Sequence, residues 1–129
     1  MRIVLDTNVL LSALMTRGTP PNTLYEMWRD HRFVLASCEL QLDELRQVSR
    51  REPLRARLTP AEVGTLVNLI RRLARMFDTL PEVSASPDPK DNYLLAVAQA
   101  AQAELLVTGD KSHLLRLKKH RSTRIVTAR

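Results

Sequence analysis

The sequence has few of the residues that build disulfides, thiolate metal sites and membrane spans. Its only cysteine is Cys38, which excludes an internal disulfide and a thiolate zinc cluster. The three histidines, His31, His113 and His120, lie far apart and match no metal-binding spacing. No stretch approaches the ~20 apolar residues that cross a bilayer, and the N-terminus lacks a signal-peptide pattern. We therefore expect a cytoplasmic protein with no membrane segment.

Aromatic residues are also scarce, at 4% of the chain, so leucine, valine, isoleucine and alanine must form the core. The hydrophobic fraction of 44% and the charged fraction of 26% are typical of a globular chain and not of a disordered one. A chain of 129 residues is too short for a second independent core. We expect a single domain over residues 1–129.

The charge balance is basic, with 20 Lys and Arg residues against 14 Asp and Glu residues and a net charge of +6. The basic residues concentrate in segments 46–57, 71–75 and 111–129. This sign favours an anionic partner, of which nucleic acid is the commonest. A solvated basic surface explains the same charge, and charge alone does not separate a nucleic-acid enzyme from a simple binder.

Hydrophobic patterning predicts alternating strands and helices. We expect strands at 2–5, 33–36, 77–80, 105–107 and 124–127. We expect helices at 9–15, after Asn22, at 38–51, after a capping box at 59–62, at 88–102 and at 112–118. This alternation is typical of a parallel sheet covered on both faces, which makes a three-layer α/β/α sandwich the predicted fold class. There is no GxGxxG segment and no P-loop to support nucleotide binding.

Two acids follow predicted strands. Asp6 comes directly after the first strand, and Asp110 comes three residues after Val107. Ligands of open α/β sheets gather beyond the carboxyl ends of the strands. We therefore expect Asp6 and Asp110 to share one edge of the sheet.

Two further acids fall on apolar helix faces. On a helical wheel, Glu44 lies between Leu40 and Val48, inside the apolar arc of the third predicted helix, and Asp91 projects into the buried face of the helix after Pro89. Unpaired carboxylates rarely face a core, because desolvation disfavours the charge. Both positions are therefore candidates for a functional site.

Each acid also has a structural explanation. Asp6, Asp88 and Asp110 are possible helix caps, Asp91 fits the third position of a capping box, and Glu44 could pair with an arginine. Capping does not explain why four carboxylates should converge, since they repel one another. With no histidine in the cluster, oxygen ligands alone would suit Mg²⁺ or Mn²⁺.

Three segments together resemble the PIN domain family. They are LDTNVLLSAL at 5–14, LQLDELRQV around Glu44, and DPKDNYLLAVAQAAQAELLVTGDKSHLL at 88–115. The resemblance spans nearly the whole chain and is closest to VapC-like toxins of toxin–antitoxin systems. It implies a metal-dependent nuclease that hydrolyses RNA.

The resemblance also implies roles for individual residues. Asp6, Glu44 and Asp91 match the family's three near-invariant acids, and Asp110 matches its variable fourth acid, so these four are the expected catalytic residues and metal ligands. Asn8 and Thr108 match polar residues that support the site. Relatives often carry another acid where this chain has Ser112 and His113, which leaves a second metal position open.

Basic residues near the expected site are candidates for holding the RNA backbone. Ordinary solubility charge is the alternative explanation for each of them. The candidates are Arg17, Lys90, Lys111 and Arg116.

The resemblance implies two protein partners, a small antitoxin and a second copy of this chain. Apolar residues around Trp28 or from Leu66 to Leu73 are possible dimer contacts. A catalytically weak PIN-like domain that binds RNA or a partner is the main alternative function. A haloacid-dehalogenase-like phosphatase also begins with an acid after strand one, but it needs a second aspartate where this chain has Asn8.

Overall fold

The structure is a computed structural model, and it describes residues 1–86, 88–110 and 112–128. In these residues it contains a single sheet of six strands. They are β1 Arg2–Leu5, β2 Val34–Ser37, β3 Arg75–Met76, β4 Leu105–Val107, β5 Lys119–His120 and β6 Thr123–Val126. The strand order is β3-β2-β1-β4-β6-β5, and every pairing is parallel except that of β5 with β6.

Helices cover both faces of this sheet. The α-helices are α1 Thr7–Met15, α2 Pro20–Arg29, α3 Glu39–Ser49, α4 Pro60–Leu73, α5 Asn92–Ala101 and α6 Leu114–Leu117. Single 3₁₀ turns occupy Leu54–Ala56 and Pro89–Asp91. Helices α1 to α4 pack on one face, and α5 and α6 pack on the other. The predicted three-layer α/β/α sandwich is confirmed.

The alternation of side chains along β1 explains why there are two cores. Ile3 and Leu5 join the cluster under α1 to α4, whereas Val4 joins the cluster under α5 and α6. Successive side chains of a strand point to opposite faces, so a strand covered on both sides needs apolar residues at consecutive positions. The run Ile3-Val4-Leu5 satisfies this requirement, and all three side chains are buried.

The strand order reverses at β1, which places a crevice at one edge of the sheet. From β1 the chain passes to β2 and β3 on one side, and it returns through β4 to the other side. Leu5 pairs in register with Val107, and the Asp6 amide donates to the Val107 carbonyl at 2.9 Å. The residues that follow β1 and β4 therefore emerge side by side, at the switch point where open sheets bind ligands.

Several element boundaries differ from the predictions. Strand β3 occupies Arg75–Met76 instead of 77–80, because it pairs with β2 as soon as α4 ends. Helix α2 begins at Pro20 with Thr19 as its N-cap, and not after Asn22. Proline is compatible with the first turn of a helix, and Pro20 and Pro21 are the first two residues of α2.

Three apolar predictions need correction. Trp28 and Leu66 are buried in the core, which removes them as dimer contacts, although Leu73 at the end of α4 is 41% exposed. Leu40 is 57% exposed, so the apolar arc assumed for α3 is narrower than predicted.

Among the helices that the structure describes, none combines the length and apolar character of a membrane span.

Candidate active site

The four predicted acids line one cavity of about 470 Å³, beyond the carboxyl ends of β1 and β4. They come from four separate parts of the chain, and the sheet topology brings them together. The cavity is lined by Asp6, Thr7, Asn8, Glu44, Val48, Arg51, Asp88, Lys90, Asp91, Gly109 and Asp110.

Asp6 lies directly after β1 and is held from two sides. The Thr108 hydroxyl donates to its Oδ2 at 2.6 Å, and the Asn8 backbone amide donates to its Oδ1 at 3.4 Å. Asp6 thus also caps α1, as the structural explanation predicts. Burial raises its pKa, and the nearby carboxylates of Glu44 and Asp110 add to the rise, although the Thr108 hydrogen bond opposes it.

Glu44 lies in the middle of α3, half-buried at the cavity wall. Its Oε1 accepts a hydrogen bond from the Tyr93 hydroxyl at 2.5 Å and another from the Thr7 hydroxyl. Burial, followed by the bond to Glu44, raises the pKa of Tyr93, so the phenol keeps the proton that it donates. Two hydroxyl groups therefore position the Glu44 carboxylate. The alternative expectation, that Glu44 pairs with an arginine, is wrong among the described residues.

Sequence reasoning did not identify Thr7 or Tyr93 as functional candidates. Both stand inside the quoted motifs, Thr7 between Asp6 and Asn8, and Tyr93 two residues after Asp91. The feature of the sequence that could have identified Thr7 and Tyr93 is their position beside the predicted ligands Asp6 and Asp91. Neighbours of metal-binding carboxylates commonly hold those carboxylates in place.

Asp91 is the last residue of the 3₁₀ turn before α5, and its side chain makes no capping hydrogen bond. The capping box predicted for Asp91 is therefore wrong, whereas the predicted cap Asp88 is confirmed, because it accepts the Lys90 amide at 3.0 Å. Among the described residues, the buried Asp91 Oδ2 has no hydrogen-bond partner. Burial, together with the adjacent Asp110, raises the pKa of Asp91 to about 7.

Asp110 differs from Asp91 because backbone amides surround it. Its Oδ1 accepts from the amides of Ser112 at 3.1 Å and His113 at 3.2 Å, and its Oδ2 accepts from Leu114 at 3.5 Å. Burial alone would raise the pKa of Asp110, but hydrogen bonds from Asp91 and these amides outweigh it and lower the pKa. The prediction that Asp110 is the cap of the last helix is wrong in position, because His113 is the N-cap of α6, but Asp110 accepts the amides that lead into this helix while also lining the cavity.

The donor set at this cavity fits a divalent cation. Asp91 and Asp110 line the same cavity, the charge of Asp110 helps to raise the pKa of Asp91, and Asp91 Oδ2 lacks a donor among the described residues. A cation between carboxylates removes both their repulsion and the desolvation cost of a buried unpaired oxygen. The four predicted acids offer oxygen ligands only, which suit ions such as Mg²⁺ or Mn²⁺.

The tightest group of metal-ligating side chains in the described residues differs from the predicted four. One ligand atom from each of Asp88, Asp91 and His113 lies within 4.8 Å of the other two. The expectation that no histidine belongs to the acidic cluster is therefore wrong. Spacing along the chain did not reveal it, because His113 comes from the segment after β4.

The predicted RNA-binding cations occupy different places. Lys90 lines the cavity, whereas Arg17 and Arg116 are exposed and do not belong to its lining. Lys111 lies outside the described residues. Arg51, which sequence reasoning did not single out, lines the acidic cavity and also an adjoining groove of about 410 Å³ that contains Lys90 and Tyr93.

A separate cavity of about 440 Å³ lies between α2 and the sheet, and its character is apolar. Its walls include Leu24, Met27, Leu105 and Val126, and no charged side chain of the described residues contributes to them. It therefore offers no group for acid–base or metal chemistry.

Comparison with known proteins identifies a family for this architecture. A family model described as PIN domain matches residues 2–112. A search among curated proteins finds no significant match.

Proposed function

We propose a ribonuclease function for this chain, which belongs to the PIN domain family, whose members are usually nucleases. The proposal is a divalent-metal-dependent endoribonuclease that hydrolyses RNA phosphodiester bonds, built as a single domain over residues 1–129. The observation that carries it is the single cavity lined by Asp6, Glu44, Asp91 and Asp110.

The four acids would bind the ion together, with different roles. Asp6, Glu44 and Asp91 are the proposed main ligands, and Asp110 would help to hold an ion or position a water. When bound, a divalent ion lowers the pKa of water and polarises the scissile phosphate. Hydrolysis then needs no covalent intermediate with the protein.

The neighbouring residues would keep these carboxylates in place. Thr108 holds Asp6 through its hydroxyl, and Tyr93 and Thr7 hold Glu44. Asn8 contributes its backbone amide to Asp6 and lines the cavity, and the role expected for its side chain stays a prediction. Lys90 and Arg51, at the cavity wall, would attract the phosphates of a single strand.

The test is cleavage of single-stranded RNA by Asp6→Asn and Asp91→Asn in Mg²⁺ or Mn²⁺. Both substitutions preserve side-chain shape and remove a charge, so we expect cleavage to fall by about 100-fold or more. The matched control is Asp30→Asn, which changes an exposed carboxylate after α2 that lines neither the cavity nor the adjoining groove. Undiminished cleavage by both cavity variants would refute the assignment.

One observation favours the alternative of a catalytically weak domain that binds RNA or a partner. Both oxygens of Asp110 accept backbone amides, which leaves them less available to an ion. Calorimetric titration with Mn²⁺ separates the two functions. The nuclease proposal expects binding that Asp6→Asn weakens, and the alternative expects no binding.

The resemblance to VapC-like toxins supports a more specific proposal. In it the protein is the toxin of a toxin–antitoxin pair, binds a small antitoxin at the acidic cavity, and forms a homodimer. Expression of the protein alone should then arrest growth, and co-expression of a short reading frame encoded beside it should relieve the arrest. Growth arrest that persists in the Asp6→Asn variant would contradict toxicity through RNA cleavage.

A further inference from the structure

We propose that Asp88, Asp91 and His113 form a mixed carboxylate–imidazole site for a divalent transition-metal ion. The site shares Asp91 with the acidic cavity, so the proposal rests on the proposed function and specifies which ions the protein selects. Its consequence is a preference for ions such as Co²⁺ or Zn²⁺ over Mg²⁺.

The side chains of Asp88, Asp91 and His113 lie close together in the fold. Asp88 and Asp91 stand at positions i and i+3 around the 3₁₀ turn Pro89–Asp91. A 3₁₀ helix has three residues per turn, so side chains at these positions lie one above the other. His113 approaches from the segment after β4, and the three ligand atoms lie within 4.8 Å of one another. Ligand atoms about 2.0–2.3 Å from a single ion lie at most about 4.6 Å apart, so a small side-chain adjustment brings all three atoms onto one ion.

A second observation concerns Asp91, the ligand that this site would share with the acidic cavity. The Asp91 Oδ2 atom is buried and has no hydrogen-bond partner among the described residues. A buried carboxylate oxygen without a donor is costly, and a metal ion would satisfy it. Asp88 accepts the Lys90 amide through Oδ1, and a carboxylate has further lone pairs with which to bind an ion.

The position of the imidazole is also restrained. The Nδ1 atom of His113 lies 3.4 Å from Asp110 Oδ2, and the His113 backbone amide donates to Asp110 Oδ1. Metal-bound histidines commonly have a carboxylate neighbour that fixes the ring in this way. Asp110 would therefore be a positioning residue for His113.

The ligand types determine the class of ion. Mg²⁺ is bound through oxygen atoms and water, whereas imidazole suits the later first-row transition metals. Replacing one carboxylate by an imidazole lowers the negative charge of the site and adds a softer ligand. This change favours Co²⁺ and Zn²⁺ more than Mg²⁺.

The experiment compares Co²⁺ and Mg²⁺ binding by calorimetry in the full-length wild-type protein and in His113→Asn. Position 113 is the N-cap of α6, where asparagine is a favoured residue, and its amide is a harder ligand than imidazole. We expect Co²⁺ affinity to fall by about tenfold or more and Mg²⁺ affinity to change by less than about twofold. The visible absorption bands of bound Co²⁺ should shift as nitrogen ligation is lost.

Two further variants complete the design. His31→Asn changes an exposed histidine after α2 and should leave both affinities unchanged. Asp88→Asn keeps an acceptor for the Lys90 amide and should weaken Co²⁺ binding. Unchanged Co²⁺ affinity in His113→Asn, or an equal loss for both ions, would overturn the proposal.

The measurement needs no RNA, so its failure is distinct from that of the proposed function. If the wild-type protein cleaves RNA in Mg²⁺ and His113→Asn binds Co²⁺ with unchanged affinity, the proposed metal site is refuted and the nuclease function stands. Co²⁺ binding that depends on His113, without cleavage in any metal, would retain the site and refute the nuclease.

Discussion

At the scale of single residues, the environment of each carboxylate determines its role. Asp91 and Asp110 are the same residue type, yet burial raises the pKa of Asp91, whereas backbone amides at the start of α6 lower that of Asp110. Of the two carboxyl groups, Asp91 therefore holds a proton to higher pH. An entering divalent cation would displace that proton, which makes Asp91 the group that links metal binding to pH.

Two hydroxyl groups determine the position of the Glu44 carboxylate. Tyr93→Phe removes one of them and retains the ring that packs against the core under α5. We expect cleavage to fall by about tenfold, because Glu44 loses orientation and not its charge. Metal affinity should fall in the same variant, as calorimetry would show.

The matched control for this variant is Tyr25→Phe. The Tyr25 hydroxyl accepts from Arg29 on α2 and does not belong to the cavity lining. It should cleave RNA at the wild-type rate. Wild-type cleavage by Tyr93→Phe as well would show that the hydroxyl does not position Glu44 for catalysis.

The candidate residues could be predicted from the sequence only in part. Asp6 and Asp110 could be placed at one edge because strand ends carry positional information. Glu44 was selected from an apolar arc that included Leu40, yet Leu40 is exposed and Glu44 lies at the margin of that arc. His113 could not be predicted, because its approach to Asp91 depends on how the segment after β4 folds back.

At the scale of elements, the site depends on a strand pair and a short turn. The register of β1 with β4 places Asp6 next to Thr108, and the 3₁₀ turn before α5 moves Asp91 out of a capping position. The order and types of the main elements were predictable from periodicity. The turn, strand β5 and the bounds of β3 were not, because tertiary pairing determines where two-residue strands form.

Helix α4 begins with a capping box that the sequence predicts and the structure contains. The Thr59 hydroxyl accepts the Glu62 amide at 3.1 Å, and Glu62 accepts the Thr59 amide at 3.0 Å. Thr59→Ala should lower the free energy of unfolding by about 1 kcal/mol, measured by urea denaturation. Cleavage by the folded variant should be unchanged, because Thr59 does not line the acidic cavity.

Thr65→Ala is the comparison for this substitution. Thr65 lies on the exposed face of α4, and its hydroxyl donates to the Ala61 carbonyl. Alanine has the higher helix propensity, so stability should stay constant or rise slightly. Equal losses from both substitutions would contradict a specific contribution from the cap.

At the scale of the whole molecule, an acidic cavity lies in a chain with a net charge of +6. This arrangement suits an enzyme that must attract a polyanion and still hold a cation at the point of reaction. Arg51 and Lys90 line both the acidic cavity and the groove beside it. An RNA strand lying in the groove would pass between Arg51 and Lys90 and then reach the carboxylates of the cavity.

Arg51→Ala tests this path for the strand. We expect binding of labelled single-stranded RNA, measured by fluorescence anisotropy in EDTA, to weaken by about 3-fold to 10-fold. The salt dependence of the binding constant should decrease by roughly one unit of slope or somewhat less. Arg72→Ala, an exposed arginine on α4 outside the cavity, should change neither quantity. The same loss in both variants would indicate general charge attraction without a path through the groove.

The most direct test of the account is the anomalous difference density of a crystal grown with Mn²⁺. The account predicts a peak inside the acidic cavity, at a coordination distance of about 2.0–2.6 Å from an oxygen of Asp91 and from at least one of Asp6, Glu44 and Asp110. A cavity without a peak, in a crystal that shows these carboxylates accessible to the ion, would contradict it.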